Sequence, residues 1–353
     1  MSQKTTRFLI AASGTGGHLF PALAVAQSLK GCDLEWLGVP DRLEQTLVPK
    51  QYPLHAIPLE GLQTRLGFNT LRILGRFIAS IFRVRQLLAT RSIDAVFTTG
   101  GYIAAPAILA ARWQGIPVVL HESNALPGKV TRWFAPLCTA VAIGFKEATQ
   151  HLRGKTAWVG TPVRPNFLTP QPLELSIPPD SPLIVVAGGS QGAVAVNQLV
   201  RECAPTWLNS GAYIVHLTGD RDPDACTFQH PHYFSLPFYE NMAGLLQRAD
   251  LAVSRAGAGT LAELSATRTP AILIPYPYAA DNHQAYNAQV FEKGGAALVY
   301  AQEQLIPDVL EKEALKLLHD RDRLSKMAHQ AASLAVFDSA ERLAALLLDL
   351  GGN

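Results

Sequence analysis

The sequence predicts an α/β protein of two doubly wound domains with parallel sheets, and three observations carry that expectation. An apolar strand at residues 7–12 passes through the turn Ser13-Gly14-Thr15-Gly16-Gly17-His18 into a helical stretch at 20–29. The same phrase recurs in the second half, with a strand at 183–187, the turn Gly188-Gly189-Ser190-Gln191-Gly192 and a helix at 193–202. The length of 353 residues exceeds the usual reach of one hydrophobic core. A strand feeding a helix through a glycine turn opens a nucleotide-binding fold, so each half reads as Rossmann-like.

Between the two turns, apolar runs at 95–97, 118–121 and 157–159 alternate with helical segments, the pattern of a parallel sheet covered on both faces. The first half ends near Thr161-Pro162. Residues 162–182 are proline-rich and read as a hinge or linker, because proline continues neither ladder nor helix. Strands of the second half fall at 213–217, 233–236, 251–254, 271–274 and 297–300. The tail, 323–348, reads as helical.

Composition excludes several classes. With 48% hydrophobic and 16% charged residues the chain is in the globular range, not the disordered one. Cys32, Cys138, Cys203 and Cys226 form no CxxC pair, and the N-terminus lacks a secretory pattern, so reduced thiols in the cytoplasm are expected. No run reaches the 18 or more apolar residues of a spanning helix. Charge is uneven: residues 1–162 carry 17 Lys and Arg against 8 Asp and Glu, whereas 163–353 carry 13 against 20. The basic half suits an anionic partner or is a solvated surface.

The chemistry-bearing residues cluster after strands. Helix N-termini with free N–H groups hold diphosphates, and glycines at 16, 17, 188, 189 and 192 let a phosphate or sugar approach the backbone. Neither turn fits the nicotinamide GxGxxG pattern, since Leu19 stands where its last glycine belongs, and neither has the P-loop lysine. The stretch Ser254-Arg255-Ala256-Gly257-Ala258-Gly259-Thr260-Leu261-Ala262-Glu263 runs from a strand into a helix. Glu263 there is either an acceptor for the two hydroxyls of a ribose or a solvated first-turn residue. Asp281-Asn282-His283-Gln284 with Asn287 offers polar groups for sugar hydroxyls. His18 is the candidate general base, neutral imidazole taking a proton from an attacking hydroxyl near neutral pH. His121-Glu122-Ser123-Asn124 follows another strand, and its side chains are expected to reach the same cleft. Asp220-Arg221-Asp222 looks like a metal-binding DxD but follows Gly219 and reads as a helix start or solvated loop. No metal and no cofactor is expected.

Residues 62–88 combine apolar positions with arginines at 65, 72, 76, 83 and 85, and no acidic residue lies between Glu60 and Asp94. Such a helix settles into anionic headgroups without spanning; core packing of the same stripe is the competing account. The membrane-facing set is Leu71, Arg72, Leu74, Arg76, Phe77, Ile78, Ile81, Phe82 and Arg83.

Taken together, the motifs resemble the MurG family of bacterial UDP-N-acetylglucosamine transferases. The resemblance rests on Gly14-Thr15-Gly16-Gly17-His18 with Pro21, Thr99-Gly100-Gly101-Tyr102, His121-Glu122-Ser123-Asn124 and Gly160-Thr161-Pro162-Val163-Arg164. To these are added the second glycine turn, the stretch 254–263, and His283-Gln284 with Asn287. It implies the GT-B fold, two Rossmann-like domains facing across a cleft. It also implies inverting transfer of N-acetylglucosamine from UDP-GlcNAc to the 4-hydroxyl of the MurNAc-pentapeptide of undecaprenyl-diphosphate lipid I, giving lipid II for peptidoglycan synthesis. Residues 1–162 would face acceptor and membrane, with a C-terminal helix at about 337–353 packed back on them, and 163–336 would bind the UDP-sugar.

By position, Arg164, Ser190 with Gln191, Tyr239 through its backbone, Ala258, Gly259, Thr260 and Glu263 would hold UDP. Thr15, Gly16, Gly17, Asn124 and Gln284 would address the sugar and its phosphates. The family often has glycine where Ser13 stands and glutamine where Ser123 stands. The implied partners are UDP-GlcNAc, lipid I, an anionic membrane surface and proteins of cell-wall synthesis or division, with no nucleic acid, and the implied place is the cytoplasmic face of the inner membrane, peripherally bound. Alternatives are a GT-B transferase with another lipid acceptor, a 2-epimerase on a similar scaffold, a non-catalytic nucleotide-sugar-binding membrane recruiter, and a nicotinamide oxidoreductase.

Overall fold

A computed structural model describes residues 5–40, 42–59, 68–189 and 192–352. The chain divides into two units: Met1–Arg164 with Asp338–Asn353, and Pro165–Phe337. The first runs β1 (Arg7–Ala11), α1 (Gly16–Ser28), β2 (Asp33–Gly38), α2 (Glu44–Leu47), β3 (Leu54–Ala56), α3 (Phe68–Thr90), β4 (Ala95–Thr98), α4 (Ala104–Trp113), β5 (Val118–Glu122), α5 (Lys129–Phe134), β6 (Ala140–Ile143) and β7 (Thr156–Trp158). The second runs β8 (Leu183–Ala187), α6 (Val194–Asn209), β9 (Tyr213–Leu217), β10 (Tyr233–Leu236), α7 (Met242–Arg248), β11 (Leu251–Ser254), α8 (Ala258–Thr267), β12 (Ala271–Leu273), α9 (His283–Lys293), β13 (Ala297–Val299), α10 (Pro307–His319) and α11 (Arg321–Leu334). The last helix, α12 (Ser339–Gly351), belongs to the first unit.

Among the described residues each unit has one parallel sheet, ordered β3-β2-β1-β4-β5-β6-β7 and β10-β9-β8-β11-β12-β13. Parallel strands are covered on both faces, which is why β1 is apolar and buried from Phe8 to Ala11 instead of alternating. Its period of two sends Phe8 and Ile10 to one face, where Leu19 and Leu23 of α1 and Leu343 and Leu347 of α12 cover them. Leu9 and Ala11 face the other way, against Val84 and Leu88 of α3, Ile108 of α4 and Ile103 just before α4. In the second unit Ile184 and Val186 lie in one core with Val196, Val200 and Trp207 of α6 and Leu310 and Leu317 of α10.

The strand order reverses between β1 and β4 in the first unit and between β8 and β11 in the second. At such switch points the connections leave a sheet in opposite directions and open a crevice beyond the carboxyl ends of the strands. Both glycine turns leave a sheet there.

Four sequence expectations are adjusted. The first helix starts at Gly16, inside the glycine turn, because Thr15 takes an extended conformation and caps it. Strands β2, β3 and β6 are additional to the apolar runs; they are short or carry acidic and small residues that blur the pattern. The helical tail is broken by extended backbone at Ala335, and its halves belong to different units. Finally, the proline-rich stretch is anchored: Phe167 is buried, and Gln247 of α7 donates through Nε2 to the carbonyl oxygen of Thr169 at 2.9 Å. The division falls after Arg164, which therefore belongs to the first unit.

Candidate active site

At the first switch point, α1 begins with two glycines whose N–H groups precede the first helical hydrogen bonds, His18 N–H and Leu19 N–H both donating to the Thr15 carbonyl. No side chain caps this end, so the Gly16 and Gly17 N–H groups carry the positive pole of a 13-residue helix. A Cβ on Gly16 would lie 2.7 Å from the Phe20 ring, so any other residue there would have to displace the ring.

His18 Nδ1 is 2.7 Å from the carbonyl oxygen of Thr99, just beyond β4. A carbonyl only accepts, so Nδ1 carries the proton and Nε2 of the neutral ring keeps its lone pair, the form a general base needs. Gly100 and Gly101 bring the chain past the ring with φ of +88° and +72°, a left-handed path that glycine takes without strain. The turn itself is tied down by a residue the sequence reading missed: Glu44, fully buried, accepts from Ser13 Oγ, Gly14 N–H and Val39 N–H.

Two expected site residues turn inward. His121 is fully buried; Nε2 donates to the Gly160 carbonyl at 3.0 Å, and burial holds its imidazole below the ordinary value. Glu122 is buried too, and its two oxygens accept from Asn124 N–H, Asn124 Nδ2 and Gly128 N–H at 2.9–3.0 Å. The pair therefore shapes the 123–128 loop instead of reaching a cleft, and Asn124 is presented by it. Arg164 is placed by Phe20, its guanidinium lying over the ring at 4.6 Å from the centroid.

In the second unit Gly188, Gly189 and Gly192 are described, while Ser190 and Gln191 lie outside the described residues. A Cβ on Gly192 would collide with the Thr218 carbonyl oxygen. That carbonyl accepts from Asn197 Nδ2, which also donates to Asp222 Oδ2 at 2.7 Å. Asp222, expected in a solvated loop, is buried and paired with Arg201 at 2.7 Å, and so braces the glycine turn. Burial pushes its carboxyl up, but the hydrogen bonds from Arg201, Asn197 and the Asp224 N–H outweigh that and the net displacement is downward. His216, between Asn197 and Tyr233, is held down to about 4 by burial, with the Arg201 cation adding to it. Among the described residues no group of three His, Cys, Asp or Glu is placed to hold a metal.

Across the second switch point α8 starts at Ala258 with Gly257 extended and no side-chain cap, so its first N–H groups, including those of Gly259 and Thr260, are open to an anion. Behind them Arg255 is buried, donating to the Ile274 and Pro275 carbonyls and to Gln302 Oε1. Gln284 Oε1 accepts from Ala256 N–H at 3.2 Å and Tyr276 N–H at 2.9 Å, which directs its amide nitrogen away from the loop. Asn287, expected to meet sugar, is buried and donates to the Ala256 carbonyl. Glu263 is half-buried in the second turn of α8, not its first. Tyr239 is half-buried on an open pocket with Asn166, Gln171 and Glu174.

On α3, Leu74, Ile78 and Phe82 form an i, i+4, i+8 stripe exposed by 50%, 45% and 51%. Arg72 and Arg83 are exposed beside it. Phe77, Ile81 and Arg76 are half-buried, Ile81 packing on the core that holds Val84 and Leu88. The side chain of Leu71 lies outside the described residues. An aromatic residue not singled out in the sequence extends the stripe: Trp113 meets Phe82 edge-on at 5.6 Å and carries the Arg85 guanidinium at 4.5 Å. No described helix is long and apolar enough to cross a membrane.

Comparison with known proteins matches residues 8–143 to the glycosyltransferase family 28 N-terminal domain and residues 183–343 to its C-terminal domain. The chain is 65% identical over 348 residues, 98% of its length and 97% of the relative's, to a protein of Gloeothece citriformis. That relative is named UDP-N-acetylglucosamine--N-acetylmuramyl-(pentapeptide) pyrophosphoryl-undecaprenol N-acetylglucosamine transferase. A protein of the same name from Trichodesmium erythraeum is 59% identical, over 99% of this chain and 94% of its own. Among solved structures, MurG of Acinetobacter baumannii has a TM-score of 0.80 at 30% identity, over 98% of this chain and 100% of that one. The kitacinnamycin glycotransferase, at 15% identity and a TM-score of 0.75 over 98% and 99%, is similar in fold alone.

Proposed function

The chain belongs to glycosyltransferase family 28, and on that premise we propose that it transfers N-acetylglucosamine from UDP-GlcNAc to the muramyl 4-hydroxyl of lipid I, with inversion, giving lipid II for peptidoglycan synthesis. What carries the reading is the 65% identity, over nearly the whole of both chains, to a transferase of that name. The two-domain GT-B fold agrees with it.

The site chemistry supports the same reaction. In the second unit the open N-terminus of α8, with Ala258, Gly259 and Thr260, receives the diphosphate, Glu263 accepts from the ribose hydroxyls, and Ser190, Gln191 and Tyr239 complete the UDP contacts. Arg255 adds a cation behind α8 that does not need to touch the ligand. In the first unit Thr15, Gly16, Gly17 and Asn124 are the groups for sugar and phosphate, and Arg164 is the cation for the charge that develops as UDP leaves; in the second unit Gln284 is the amide for the sugar. His18, with Nε2 unprotonated, takes the proton of the attacking hydroxyl as its oxygen bonds the anomeric carbon.

The acceptor carries a polyprenyl chain, so the enzyme works at a lipid surface. The exposed Leu74, Ile78 and Phe82 stripe, flanked by Arg72, Arg83 and the Arg85–Trp113 pair, supports peripheral attachment to an anionic leaflet on its cytoplasmic face. Labelled UDP-N-acetylglucosamine incubated with a lipid I analogue tests the proposal: label must move into the lipid fraction only when acceptor is present. Acceptor-independent loss of the donor, or no transfer, sinks it.

A further inference from the structure

We infer that Glu44 is a positioning residue for the transfer, latching the first glycine turn so that His18 and the Gly16 and Gly17 N–H groups are held where the reaction needs them. The inference rests on the reaction proposed above. Glu44 is the first residue of α2 and is 0% exposed. Its Oε1 accepts from Ser13 Oγ at 2.5 Å and Val39 N–H at 2.7 Å, and its Oε2 from Gly14 N–H at 3.2 Å.

Three neutral donors thus satisfy a buried carboxylate, and they come from two places: the exit of β1 and the exit of β2. Gly38, at the end of β2, has no room for a Cβ, which would lie 2.8 Å from Glu44 Cγ. Gly14, with φ of +103°, has no side chain of its own to hold its conformation. The carboxylate therefore fixes the turn from outside, and Thr15, the cap whose carbonyl accepts from the His18 N–H, follows at once. Ser13 adds a donor that a glycine at this position would not supply.

The charge matters as well as the shape. In Glu44→Gln one acceptor becomes an amide donor. Placed at Oε2 it faces the Gly14 N–H; placed at Oε1 it faces the Val39 N–H. Either orientation leaves a buried donor unmet, which loosens the turn while the side-chain volume is unchanged.

Steady-state kinetics, UDP titration and thermal melting of the full chain test this. Glu44→Gln is expected to lower kcat about tenfold to a hundredfold and to leave UDP affinity within about twofold, since the proposed UDP contacts lie mostly in the other unit. Ser13→Ala, the milder variant, should lower kcat several-fold, and adding it to Glu44→Gln should cost less than the separate effects combined. Wild-type kcat in Glu44→Gln, a loss of UDP affinity as large as the loss of kcat, or a loss explained wholly by a lower folded fraction, overturns the inference. If the wild-type chain itself transfers nothing, the proposed reaction falls instead. The latch is then decided by amide exchange over residues 19–23, faster in Glu44→Gln if it holds and unchanged if it does not.

Discussion

His18 Nδ1 and the Thr99 carbonyl oxygen, 2.7 Å apart, join the exits of β1 and β4 across the switch point of the first sheet. That one bond sets both the ring's orientation and its tautomer. His18→Ala is expected to lower kcat by about a hundredfold or more, the usual worth of a positioned base. UDP binding, followed by calorimetry, should hardly change. Near-normal turnover would show that another group takes the proton.

Phe20 acts on Arg164 through the ring face. Phe20→Leu keeps most of the apolar volume and removes the cation–π contact, so KM for UDP-GlcNAc should rise about two- to tenfold. Arg164→Lys should raise it further, because an ammonium cannot offer the planar fork of a guanidinium. An unchanged KM in Phe20→Leu would separate the ring from donor binding.

Flotation with anionic vesicles reads the α3 face. Leu74→Ser with Phe82→Ser should reduce the bound fraction, as should neutralising Arg72, Arg76 and Arg83. Raising salt should mimic the arginine changes and not the apolar ones. Ile81→Ser, half-buried on the core, should instead lower the melting temperature. If the surface changes leave flotation untouched, the stripe serves another contact.

Acid should destabilise the second unit through His216. Its folded value of about 4 lies below the ordinary 6.5, so the unfolded chain binds the proton first. The stabilisation is whole above about pH 6.5 and falls as pH drops toward 4, by about 3 kcal/mol in total. Asp222, held down in the folded state, adds a loss at lower pH still. Urea unfolding at pH 7 and pH 5 should show this slope, and His216→Gln should flatten it. An equal slope in both proteins would assign the acid sensitivity elsewhere.

Much of this molecule was legible in the chain. The repeated strand, glycine turn and helix announced two nucleotide-type halves, because a phosphate-sized opening at a helix start demands small residues in an order that local sequence displays. The same local logic singled out His18, Gly16, Gly17 and the 254–263 stretch, and the structure puts them at the starts of α1 and α8 or on the strand that leads into α8. Strands β2, β3 and β6 were not legible: Asp33 and Glu35 interrupt the apolar pattern of β2, and β3 and β6, with three and four residues, are too short to show a period.

What the sequence by itself determined was the set of chemical groups and the turns that carry them. Only the tertiary structure decided which of those groups face outward and which hold others in place. His121, Glu122 and Asn287 looked like site residues by type and Asp222 like a solvated loop residue, yet each is buried and bonded to loop backbone or a buried partner. Glu44 looked like nothing, and it ties down the glycine turn. The reason is physical: a polar side chain acquires its task from the donors and acceptors that folding brings within about 3 Å, and those partners come from residues far away along the chain.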